Sequence, residues 1–139
     1  MKAMRQLTAV CVAGAVLSTG TACAWAQATP APTAHRIELT DRDAGRALTV
    51  RPGDDVEVRL TGVRDRGTTF AWSAPAPDHP AVLRRSALGR TPTGGVTARF
   101  TAGDRGGTAL LTARRSCRAA PGSRCPHVVA TWRVTVTVR

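Results

Sequence analysis

The sequence predicts an all-β chain, an antiparallel immunoglobulin-like β-sandwich of about seven or eight strands. Three observations predict it. After Ala34 apolar residues recur with a period of two, and no convincing helical period appears. Turn-forming clusters punctuate the alternating runs. A tryptophan, Trp72, falls on the third main strand, where such sandwiches place a core tryptophan. A small barrel is the alternative architecture.

Each element follows from the pattern. Residues 36–40 form a first short strand. Leu48 and Val50 share a face, with Thr49 and Arg51 opposite. Pro52-Gly53-Asp54 is a tight reversal. Val56, Val58 and Leu60 then point inward while Glu57 and Arg59 point out. Phe70 and Trp72 share a core face. Strands are expected at residues 81–87 and 108–114, and Val96, Ala98 and Phe100 mark another between them. Residues 103–107, Gly-Asp-Arg-Gly-Gly, form a turn. The clearest alternation comes last: Trp132, Val134, Val136 and Val138 face one way and Arg133, Thr135, Thr137 and Arg139 the other.

The N-terminal residues read differently. Lys2 and Arg5 precede an uncharged, mostly apolar or small run, residues 7–24. Ala24-Trp25-Ala26 offers a cleavage signal before Gln27, so residues 1–26 read as a signal peptide and the protein as secreted or extracytoplasmic. The run is diluted by Thr, Ser and Gly, which argues against a membrane span in the mature form. Lipoprotein anchoring at Cys23 is the weaker reading, because Gly20 stands where a lipidation site needs a large aliphatic residue. Residues 27–34, with Pro30 and Pro32, form an extended tether. Residues 35–139 are enough for one domain with one modest core, read as a monomer.

Composition narrows the chemistry. Lys and Arg total 20. Removing Lys2 and Arg5 leaves 18 arginines against 9 acidic residues after the leader. The arginines are scattered and the aromatics sit at core positions, so no nucleic-acid interface is predicted. Cys117 and Cys125 remain after cleavage, and in an oxidising compartment they read as a disulfide. Their spacing matches no zinc motif, even with His127 added. Asp54 and Asp55 read as a solvated turn rather than a calcium site. His35, His79 and His127 are isolated, and no nucleophile motif or phosphate loop is present. The reading is a protein that is not an enzyme, with no cofactor and no metal.

Loop lengths carry the functional signal. Strand directions alternate, so alternate loops gather at one end. One end receives the shorter connections near residues 52–54, 75–79 and 103–106. The other receives residues 62–69, 89–95 and 116–129, which are longer. Three long loops on one end of a rigid sandwich suit a recognition surface.

Residues 45–60, GRALTVRPGDDVEVRL, followed by TTFAW at 68–72, resemble the chagasin-like inhibitors of papain-type cysteine peptidases. TGGVTARF at 93–100 resembles that family's glycine-rich loop and following strand. GTALLTARR at 107–115 and WRVTVTV at 132–138 resemble its last hairpin. The resemblance implies the same sandwich, with three loops from one end inserted into a peptidase cleft. By position it assigns peptidase-binding roles to Arg64, Asp65, Arg66, Gly67, Thr68 and Thr69, to Thr93, Gly94 and Gly95, and to Arg114 and Arg115. The implied partner is a protein, a papain-like cysteine peptidase.

The tips depart from the family. Arg64-Asp65-Arg66 replace the usual Asn-Pro ahead of Thr68-Thr69, and Ser116-Cys117 follow Arg115 where Pro-Trp is usual. The alternative reading is therefore a noncatalytic exported binding module at the cell surface with another partner. Whichever partner holds, Trp72 is expected in the core. Trp72→Ala should cost about 3–5 kcal/mol in a urea titration, and a much smaller loss would show that Trp72 is not buried.

Overall fold

Each alternating run pairs with another, and the pairs assemble into two sheets. The structure, a computed structural model, describes residues 28–127 and 129–139. The expected leader, residues 1–26 with Cys23, lies outside them. Residues 28–34 are exposed and belong to no strand. Pro32–Arg139 forms one compact unit.

The described residues form ten strands: β1 Arg36–Thr40, β2 Ala47–Val50, β3 Asp55–Leu60, β4 Val63–Asp65, β5 Thr68–Trp72, β6 Ala76–Pro77, β7 Leu83–Arg90, β8 Val96–Ala102, β9 Gly107–Ala119 and β10 Ala130–Val138. One sheet runs β1-β3-β8-β7; the other runs β2-β10-β9-β5-β4, with β6 also paired to β9. Eight of the ten correspond to expected runs. The short β4 and β6 are additions.

The sandwich is mixed rather than purely antiparallel. β1 pairs parallel to β3, with Ile37 opposite Val56, and β2 pairs parallel to β10, with Leu48 opposite Val136. The cause is the first reversal. After Thr40 a 3-10 turn, Asp41–Asp43, turns the chain over and passes it from one sheet to the other. β1 and β2 therefore do not form a hairpin. Each lies against a strand reached after an even number of reversals. Alternation reports which face a residue takes but not which strand lies beside it.

The two inner faces share one core. Leu39, Val56, Val58, Leu60 and Phe100 close it from one side, and Leu111, Ala113, Trp132, Val134 and Val136 from the other. Both inward tryptophans have a polar edge to satisfy, and each reaches a carbonyl at the same end of the molecule. Trp72 Nε1 donates to Thr61 O at 3.0 Å and Trp132 Nε1 to Thr40 O at 2.9 Å. Trp72 is buried, at 6% exposure. Phe70, expected beside it in the core, is only half-buried. It lies beyond the sandwich proper and is covered by the Arg115 guanidinium, 5.9 Å from its ring centre.

The Pro52-Gly53 reversal closes with Asp54 N–H donating to Arg51 O at 3.1 Å. Asp54 is not the solvated residue expected there. It is 6% exposed and accepts from the amides of Arg51, at 2.9 Å, and His35, at 3.0 Å. Its carboxylate thereby ties β1 to the β2–β3 turn. The Arg51 amide first, and then that of His35, holds its pKa below the ordinary 3.8. A carboxyl with a depressed folded pKa stabilises the fold above its unfolded value and loses that contribution as pH falls through the folded value. Urea stability should therefore fall below about pH 4, and Asp54→Asn should make that fall shallower. An unchanged acid slope in Asp54→Asn would contradict this role.

Candidate functional site

Ladder directions place the turns β1–β2, β4–β5, β7–β8 and β9–β10 at one end of the sandwich. The turns β2–β3, β6–β7 and β8–β9 lie at the other. The loop end therefore carries all three segments singled out in the sequence, together with residues 41–46.

The first segment is a hairpin rather than an open loop. Val63–Asp65 pairs with residues 68–70, putting Arg64 opposite Thr69 and Asp65 opposite Thr68. Only Arg66 and Gly67 turn, at φ 41° and 80°. Two consecutive left-handed residues match the twist of an antiparallel pair, which is why so short a connection closes. Thr68 Oγ1 donates to Asp65 O at 2.6 Å and braces the tip.

The second segment is the β7–β8 turn. Gly94 N–H donates to Thr91 O at 3.1 Å, with Pro92 in the second turn position and Gly94 left-handed at φ 86°. Gly95 N–H adds a bond to Thr91 Oγ1 at 2.9 Å, and Thr91 and Thr93 hydroxyls meet at 3.0 Å. This turn belongs to one sheet but is docked on the other. Trp72 N–H donates to Gly94 O at 2.9 Å, and Arg90 Nη1 donates to Trp72 O at 3.2 Å. Gly94 continues the edge of β5 where β4 ends. A Cβ on Gly94 would stand 2.8 Å from Ala71 Cα. A Cβ on Gly62 would overlap the backbone of Thr93, Gly94 and Gly95.

The third segment starts later than expected. β9 runs to Ala119, so Arg114, Arg115 and Cys117 are strand residues and not loop residues. Pairing explains it: β5 continues against β9 with Trp72 opposite Arg115, Phe70 opposite Cys117 and Thr69 opposite Arg118. Arg115 sits over Phe70 and over Trp72, 5.5 Å from the latter's ring centre. Arg114 is exposed, and its amide donates to Ser73 Oγ at 2.9 Å. Cys117 is bonded to Cys125, with 5.7 Å between their Cα atoms. The stapled turn supports the hairpin: Ala120 N–H donates to Gly67 O at 2.7 Å and Ser123 Oγ to Arg66 O at 3.4 Å.

A groove of about 580 Å³ runs between the β4–β5–β9 surface and the β7–β8 turn. Of the expected binding residues, Arg64, Thr69, Gly94 and Gly95 line it. Arg66 and Gly67 form the hairpin tip, flanked by Asp65 and Thr68, and Thr93 is exposed in the facing turn. Arg90 and Pro92, from the 89–95 segment, and Ser116 and Arg118, from the 116–129 segment, also line the groove. Among the described residues three arginines and no carboxylate line it, so it suits an anionic or hydrogen-bond-accepting surface. Among the described residues no three His, Cys, Asp or Glu side chains gather closely enough to hold a metal ion. No helix among the described residues is long and apolar enough to cross a membrane.

These features define an immunoglobulin-like β-sandwich with its longer turns clustered at one end, the fold expected from the resemblance. No protein-family pattern matches the chain. No curated protein matches it in sequence. Its fold is that of a solved protein, the cysteine protease inhibitor EhICP2 from Entamoeba histolytica. The likeness covers 78% of this chain and 100% of that one, at a TM-score of 0.51 and 13% identity. The solution structure of amebosin aligns over 77% of this chain and 100% of its own, at a TM-score of 0.45 and 14% identity.

The docked glycines generate a stability prediction. Gly62→Ala forces a methyl group into backbone and should cost about 1–3 kcal/mol, as overpacking does. A chemical-denaturation midpoint equal to that of the unmodified chain would show that the β7–β8 turn is not seated there.

Proposed function

We propose that this protein is a secreted, noncatalytic inhibitor of papain-type cysteine peptidases that seats its loop end in the active-site cleft. The observation that carries the reading is the gathering of three segments at one end of a sandwich whose fold is shared with a cysteine protease inhibitor. The Arg66-Gly67 tip, the β7–β8 turn and residues 120–127 form the wedge. Residues 120 and 123 are bonded to the tip, and the β7–β8 turn to Trp72 of β5, before any partner arrives, so little ordering entropy is left to lose on binding. A narrow two-residue tip supported on both sides suits insertion into a cleft. In this reading residues 1–26 are removed on export, residues 27–34 tether the domain, residues 35–139 act as a monomer, and the Cys117–Cys125 bond forms outside the cytoplasm.

A specific observation favours a second reading, an exported binding module with another protein partner. Arg114 and Arg115 occupy the position of the family's third loop, yet both lie within β9. Inhibition assays separate the two. Titration against a panel of papain-type peptidases should give inhibition at micromolar concentration or below for at least one member. Thr69→Trp, which fills the groove beside the hairpin, should weaken that inhibition by about 30-fold or more, the scale of losing an interface anchor. The melting temperature should stay within about 3 °C, because Thr69 is outside the core. Absence of inhibition across the panel would remove the first reading.

A further inference from the structure

Charge is unevenly divided between the two ends of the sandwich. Residues 61–73, 89–97 and 113–131, which form the loop end, carry seven arginines and one carboxylate, Asp65. The fourth turn at that end, residues 40–46, is balanced, and Arg46 pairs with Asp43 at 2.9 Å. The opposite end, residues 51–55, 78–82 and 103–106, carries four aspartates and two arginines. The sequence hides this, because the arginines of the loop end come from three separated stretches. On the outer face of the other sheet, Glu57 alone engages Arg36, Arg59 and Arg99. At the loop end, among the described residues, Arg64, Arg90 and Arg118 have no carboxylate within 4 Å, and Asp65 engages only Arg66, at 3.6 Å.

Two of these three are set in a row. Arg64 and Arg118 lie opposite Thr69 from either side across β4, β5 and β9, so they share one face of the sheet. With Arg90 they line the groove. The apolar content favours a protein ligand over a nucleic acid. Phe70 and Trp72 lie beneath Arg115 and are not free to stack on bases. The exposed large apolar side chains Val63, Leu88 and Val129 fall on the strands and turn that lead to this end.

We infer that the partner carries an acidic rim around its cleft, and that the groove lined by Arg64, Arg90 and Arg118 receives the carboxylates of that rim. This rests on the inhibitor reading and names which peptidases it selects. The charge imbalance also orients the molecule during approach, with the basic end leading, so its main effect falls on the association rate.

The test uses the full exported chain and two papain-type peptidases of known structure, one with an acidic cleft rim and one with a basic rim. Association rates are measured by progress curves at about 20 and about 300 mM NaCl, a change that shortens the screening length several-fold. The acidic-rim enzyme should be inhibited, with association slowing about tenfold or more at high salt. Arg64→Gln combined with Arg118→Gln should produce a similar slowing at low salt with an unchanged melting temperature, and Arg118→Gln alone serves if the pair is unstable. The basic-rim enzyme should be inhibited poorly at either salt. Equal, salt-independent inhibition of both enzymes overturns the acidic rim and leaves the inhibitor reading standing. Inhibition of neither overturns the acidic rim, and absence of inhibition across the wider panel overturns the inhibitor reading with it. Strongly salt-dependent binding to a DNA duplex without inhibition overturns them in favour of a nucleic-acid partner.

Discussion

Backbone touches backbone where Gly62 meets Thr93, Gly94 and Gly95, and the arrangement of the loop end depends on that contact. The β7–β8 turn belongs to one sheet, yet its Gly94 carbonyl takes the Trp72 amide of the other. A β-sandwich otherwise joins its sheets through side chains in the core, about 10 Å apart. Here the sheets are joined by hydrogen bonds at one end, in addition to the core. Side chains at Gly62 or Gly94 would hold the two backbones apart. The groove and the spacing of its arginines follow from this contact, because the groove lies between the docked turn and β5.

Trp72 links that junction to the core. Its ring fills the sandwich, its indole N–H holds Thr61 O just before Gly62, and its backbone holds Gly94 and Arg90. One residue thus positions the β3–β4 connection and the β7–β8 turn at once. The disulfide acts on the other side. It confines the turn after β9, whose Ala120 and Ser123 support the Arg66-Gly67 tip. The tip is therefore held from β5 beneath and from the stapled turn beside it. A recognition surface built this way gains affinity by being ordered in advance, not by burying unusual area.

The strands with a wet face and a dry face were legible because burial imposes a period of two. Val56-x-Val58-x-Leu60 and Trp132-x-Val134-x-Val136-x-Val138 could hardly be read otherwise. Neighbours were less legible. The parallel pairs arise from a chain that changes sheets at residues 41–46, and nothing in the alternation marks that step. Residues 64–69 looked like a loop because Arg, Asp, Gly and Thr are turn formers. They pair because an Arg66-Gly67 turn needs only two residues. Alternation ended the expected strand at Arg114, and the family resemblance placed the start of the third loop at Arg114 and Arg115. Strand pairing with β5 carries them on, and Arg115 keeps the inward face by covering two aromatic rings. The loop-end clustering followed from counting reversals. The arginine-lined groove needed the three segments side by side.

The central claim is that the loop end, and not a sheet face or the opposite turns, is the surface that meets a peptidase. Hydrogen–deuterium exchange of the protein, alone and with an excess of a papain-type peptidase that it inhibits, measures this directly. The account predicts new protection confined to residues 62–69, 90–95 and 118–127, with residues 51–55, 78–82 and 103–106 unchanged. Protection centred on those opposite turns, or on the outer face of β1, β3, β8 and β7, would contradict it.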